Sequence, residues 1–119
     1  MKHRALRIPL YGGALRLFSD KVEFARMSAI FDGQKFSTPL ATSTLGRCAM
    51  FQHDIGVTLF IGWFCDDMSV LCHEALHAAL FMVDRVGIDR KDDEALTYLT
   101  QWFFKASLDE FRRVRRYEG

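Results

Sequence analysis

An α+β fold is predicted: a small antiparallel or mixed sheet, then a central helix, then a long C-terminal helix packed beside it. Three observations carry this prediction. Short apolar runs in the first half are broken by Gly, Pro, Ser and Thr turn signals. Residues 57–64 are apolar at both alternating positions, with Val57, Leu59, Ile61 and Trp63 on one face and Phe60 and Phe64 on the other. From Asp66 onward, two long stretches of helical periodicity are separated at Gly87. A chain of 119 residues is one domain, 1–119, and with 50% hydrophobic residues and 11 Phe it can fill one core.

Residues 5–10 form a short extended run stopped by Tyr11-Gly12-Gly13, and residues 14–18 can return as its hairpin partner. Residues 22–31 fit a short helix as well as a strand, because Val22, Phe24, Met27 and Ile30 or Phe31 satisfy both periods. Asp32-Gly33 is a turn, and the Ser- and Thr-rich stretch 37–44, holding Pro39, is a loop. Residues 47–52 and 57–64 are strands, joined at His53-Asp54-Ile55-Gly56 by a connection short enough for a hairpin. A strand that is apolar on both faces needs cover on both sides. Asp66 or Asp67 caps the first long helix, which ends near Val86 at Gly87. Leu71, Ala75, Leu76 and the run 78–83 cover most of its circumference, so it reads as a buried helix. After a charged loop, Asp92 or Asp93 caps a second helix running to about Arg116, with Leu96, Leu99, Phe103, Leu108, Phe111 and Val114 on its apolar face.

Sixteen basic and fifteen acidic residues nearly cancel, so net charge selects no partner. Arg112, Arg113, Arg115 and Arg116 cluster near the C-terminus, and Lys2, His3, Arg4 and Arg7 near the N-terminus. Glu110 and Glu118 partly offset the arginines, and no aromatic interleaving accompanies them. A solvated helix end is the expectation, and nucleic acid is not the expected partner. Cys48, Cys65 and Cys72 are odd in number and unpaired in spacing, which argues for a reducing compartment. Pro9, Gly12, Gly13 and Arg16 interrupt any signal-peptide apolar region, and the longest apolar stretch, 57–65, is too short to span a bilayer. A cytoplasmic protein with no membrane contact is expected.

Within the first long helix, His73-Glu74-Ala75-Leu76-His77 matches H-E-x-x-H, the zinc signature of metallopeptidases. Residues four apart share a helix face, so two imidazoles can grip one metal ion. Glu74 lies about 100° round the wheel from His73. From there it can act on a metal-activated water as a general base without being a ligand. The competing reading is two core histidines hydrogen-bonded to backbone. On a helix read as buried, three unpartnered polar groups would be costly. A divalent cation satisfies both imidazoles and the charge of Glu74 together.

A strand, a tight connection, a helix bearing H-E-x-x-H and a second helix opening on an acidic residue resemble the zincin metallopeptidases. The subgroup with a glutamate third ligand is the gluzincins. The resemblance covers about residues 56–102. It extends to very small zincin-like proteins, including those encoded by bacteriophages, whose second helix opens with a segment similar to Asp93-Glu94-Ala95-Leu96-Thr97-Tyr98-Leu99. It implies a minimal zincin-like domain with Zn²⁺ as cofactor and a peptide or protein as substrate, in the host cytoplasm if phage-encoded.

Catalytic zinc takes three protein ligands and an open position. No His follows His77, which removes a downstream His as third ligand. Glu94, 17 residues beyond His77, stands at a gluzincin-like spacing, and Asp93 is its rival. Many gluzincins carry an acidic residue four positions after the third ligand, but this chain has Tyr98 there. Tyr98 shares a helix face with Glu94 and can either stabilise an oxyanion or pack its ring between the helices. Cys72 reads as a buried core cysteine. His53 and Asp54 read as a turn, or as a polar site near the metal. Two functions follow as expectations. One is a zinc-dependent hydrolase, a minimal peptidase with His73, His77 and Glu94 as ligands and Glu74 as base. The other is a zincin-fold, metal-containing binding protein that cleaves little and acts on a protein partner.

Overall fold

The computed structural model describes residues 3–54 and 56–118, residues 117 and 118 by backbone alone. Lys2 of the basic N-terminal group, Ile55 of the expected turn and the side chain of Glu118 lie outside the described residues. The elements are β1 (Leu6–Arg7), β2 (Ala14–Phe18), α1 (Lys21–Phe31), β3 (Gly46–His53), β4 (Gly56–Trp63), α2 (Met68–Val86) and α3 (Asp93–Glu118). The fold is α+β. The described strands form one mixed sheet in the order β1-β2-β4-β3. β1 runs antiparallel to β2, β2 parallel to β4, and β3 antiparallel to β4.

The stretch that fitted either period is helical. Asp20 caps α1 by accepting the Val22 N–H at 2.9 Å, and Phe24, Ala25 and Ala29 face inward. Phe24 and Phe31 pack on Phe60 of β4 at ring distances of 5.8 and 5.0 Å, beside Phe18 and Phe51. This aromatic cluster covers one face of the sheet. Leu15, Leu59, Ile61 and Trp63 on the other face join Leu71, Ala75, Ala78, Met82, Leu99 and Phe103 of α2 and α3. β4 is therefore buried from Val57 to Trp63, which explains its apolar residues on both faces.

Local chemistry fixes the helix ends. Asp67 accepts the N–H of Ser69 at 2.9 Å, and the indole N–H of Trp63 donates to the Asp67 carbonyl at 2.9 Å. α2 ends at Gly87, whose φ of 78° is one that a side chain would strain. Arg90 then bonds back to Asp84, and Asp92 caps α3 by accepting the Ala95 N–H at 3.1 Å. Asp93 becomes the first helical residue.

α2 is not buried all round, which corrects the expectation from its composition. Leu71, Glu74, Ala75, Ala78, Ala79, Met82 and Val83 face inward, while Cys72, His73, Leu76 and His77 are exposed. An apolar circumference misleads here because Leu76 and Leu80 lie along the outward side, one exposed and one half-buried.

The arginine-rich end of α3 is also more structural than a solvated end. Arg115 stacks over the Trp63 ring at 4.4 Å, pairs with Asp66 at 3.0 Å and donates to the Cys65 carbonyl at 3.1 Å. Arg113 and Arg4 both bind the carboxylate of Glu110. Among the described residues, no helix is long and apolar enough to cross a membrane.

Candidate metal centre

α2 places His73 and His77 one turn apart, and their Nε2 atoms converge to 3.0 Å with the rings nearly perpendicular. Between two neutral imidazoles at this distance, one N–H donates and the other nitrogen accepts. A divalent cation could instead take both lone pairs. Two nitrogens at a zinc distance of 2.0–2.1 Å sit about 3.3 Å apart on a tetrahedral edge, so a small opening of the rings would admit the ion. Both side chains are exposed, so the case for a metal from three buried polar groups does not hold for the histidines. The support comes instead from their convergence.

Glu74 is the buried member of the motif, at 7% exposure. It points toward β3, where a Cβ on Gly46 would lie 2.9 Å from its Oε2 and 2.8 Å from a Val70 methyl. Its carboxylate makes no hydrogen bond among the described residues. Burial raises its pKa above the ordinary value, against the charges of His73, His77 and Arg47, which pull it down. Burial also raises the Cys48 thiol, and the charge of Glu74 adds to this, so Cys48 stays protonated.

Gly46, Arg47 and Cys48 lie near Glu74, a proximity that the sequence does not reveal. The usable signal was a glycine at the start of a strand, which marks close approach of another group. Replacing Gly46 with Ala is expected to push the Glu74 carboxylate and Val70 aside at a cost of about 1–3 kcal/mol. Thermal unfolding of the variant measures this cost, and an unchanged midpoint would show that the contact is slack.

The remaining candidates lie apart from this pair. Glu94 and Asp93 are exposed in the first turn of α3. Among the described residues, no three His, Cys, Asp or Glu side chains gather closely enough to hold a metal ion. The histidines thus fit two corners of a zinc site, and the third is not assembled. Tyr98 is 44% exposed and lines a depression on α3 with Gln101, Trp102 and Lys105. Cys72 is exposed, not a core residue, and lines an apolar groove with Leu76, Leu96 and Phe104 where α2 meets α3. The helical wheel places it outside the inward stripe, which its small apolar character had suggested it would join. His53 bonds Thr58 across the β3–β4 turn at 3.0 Å, which gives it a local structural role.

No family model matches the chain, and comparisons with characterised proteins and with solved structures find no match.

Proposed function

We propose that the chain is a metal-dependent hydrolase whose centre is built on α2. More particularly, we read it as a minimal zincin-like peptidase of the gluzincin type. The observation that carries this is the convergence of the His73 and His77 Nε2 atoms next to Glu74, a residue only 7% exposed. His73 and His77 would hold Zn²⁺, with Glu94 as the third ligand. Glu94 is exposed in the first turn of α3 and is not gathered with the histidines, so it would have to move toward them to complete the site. Bound zinc would supply Lewis acidity toward a substrate carbonyl. Glu74 would take a proton from the attacking water and deliver it to the leaving amine. Among the described residues β3 pairs with β4 alone, so its outer edge can align an extended peptide by strand addition.

One observation favours a second reading. The described residues gather two ligands where a catalytic zinc needs three, which suits a metal-containing binding protein with little proteolysis.

A zinc titration tests the ligand set. Wild type is expected to bind one zinc. His73→Ala and His77→Ala should each weaken binding beyond the about 10–100-fold typical of outer-shell partners, and Glu94→Ala should do the same if it is a ligand. Equal affinity in wild type and His77→Ala would remove the site. Tight zinc binding without peptide cleavage would leave the binding-protein reading.

A further inference from the structure

The convergence of His73 and His77 fills half of a zinc coordination sphere. Zinc in a protein takes four ligands, and the two imidazoles supply two of them. Among the described residues, no third His, Cys, Asp or Glu gathers with the pair. Both histidines are exposed, so the pair is open to donors from outside the chain.

The surface around the pair suits a second copy of the same chain. At about 100° per residue, His73, Leu76, His77 and Leu80 fall within an arc of about 100° on α2. Leu76 is 40% exposed and Leu80 is half-buried. Beside them runs the apolar groove that Cys72, Leu76, Leu96 and Phe104 line where α2 meets α3. Charge is nearly absent here. From Met68 to Val83 the one Asp, Glu, Lys or Arg is Glu74, which is 7% exposed, although 26% of the whole chain is charged. The next carboxylate along the same face, Asp84, is paired with Arg90. A two-fold contact sets a surface against itself, so exposed like charges close to the axis would meet and repel. A neutral apolar patch that carries metal donors avoids this repulsion.

We propose that, when zinc is scarce relative to the chain, two copies share one ion, each contributing His73 and His77. Four imidazoles then close the sphere, and the Leu76 patches of both copies are buried against each other. The inference rests on the reading of this histidine pair as zinc ligands. It adds what fills the corners that the chain leaves open by itself. An ion held by four imidazoles has no position for water or substrate, so the shared form is a closed state of the centre. When zinc is in excess, mass action divides the pair, each chain holds its own ion and the open position returns.

Sedimentation velocity of the metal-free chain titrated with zinc sulfate tests this, under a phosphine reductant that keeps the exposed Cys72 from forming a disulfide. A monomer is expected without metal, a dimer near one zinc per two chains, and a monomer again at a large excess of zinc. His77→Ala alters an exposed position and should stay monomeric at every ratio. Leu76→Gln keeps both ligands. Its effect counts twice in a symmetric pair, so the dimer should weaken by about tenfold or more while zinc uptake at excess metal is retained. A chain that binds zinc yet stays monomeric at every ratio would overturn the shared site and leave the hydrolase centre standing. A dimer that forms without metal, or that His77→Ala also forms, would overturn it as well. No zinc binding at all would overturn both the shared site and the proposed function.

Discussion

Replacing Glu74 with Gln is expected to lower peptide hydrolysis by about 10²–10⁴-fold, the usual contribution of a positioned general base. The same change should raise the thermal midpoint of the metal-free protein. Gln keeps the shape that fits against Gly46 but carries no charge. Burial raises the pKa of Glu74, so the ionised group is less favourable folded than unfolded. Above its folded pKa that cost is present. Below the ordinary carboxylate range both states are protonated and the cost vanishes. A higher midpoint is therefore expected at pH 8 and no change at pH 3. Scanning calorimetry at the two pH values separates the outcomes. A lower midpoint at pH 8 would mean that Glu74 has a stabilising partner, and full activity would remove it as the base.

Glu110 should show the opposite behaviour. Its side chain is 2% exposed and accepts from Arg113 Nε at 3.0 Å, from the Arg4 backbone N–H at 3.2 Å and from Arg4 Nη2 at 3.1 Å. Burial alone would raise its pKa. The bonds from Arg113 and Arg4 outweigh burial and hold it at about 2. A depressed carboxylate contributes stability above its unfolded value of 4.5 and loses it as pH falls toward 2. The contribution is about 3 kcal/mol by that shift. Removing one partner of a buried pair points the same way, at the low end because Arg4 is 66% exposed and can rehydrate. Glu110→Ala should lose about 3 kcal/mol in urea unfolding at pH 7, and most of the difference from wild type should disappear near pH 2. A difference unchanged across that range would show that packing, not charge, holds the N-terminal segment to α3.

Local signals made much of the fold legible. Asp67 and Gly87 bound α2 as their cap chemistry requires, and β3, ending at His53, pairs antiparallel with β4, starting at Gly56. The two-faced pattern of residues 57–64 correctly demanded cover on both sides. What covers the second face was not legible, because Val22, Phe24, Met27 and Phe31 satisfy helix and strand periods alike, and the Phe cluster settles it only in three dimensions. Exposure within α2 was misread because hydrophobic residues on its outward side looked like core. Cys72 and the histidines consequently lie on the surface. The pairing of His73 with His77 follows from helical spacing alone. The environment of Glu74 does not, since it depends on Gly46, which lies 28 residues earlier in the sequence. The arginines at the end of α3 have partners at Asp66 and Glu110 that charge counting could not assign.

In the proposed centre His73 and His77 bind one metal ion together. X-ray absorption at the zinc edge of the zinc-loaded protein tests it most directly. One zinc per chain is expected, with two imidazoles in a nitrogen and oxygen shell at about 2.0–2.1 Å and no sulfur. A sulfur shell at about 2.3 Å, or no zinc retained after gentle purification, would contradict it.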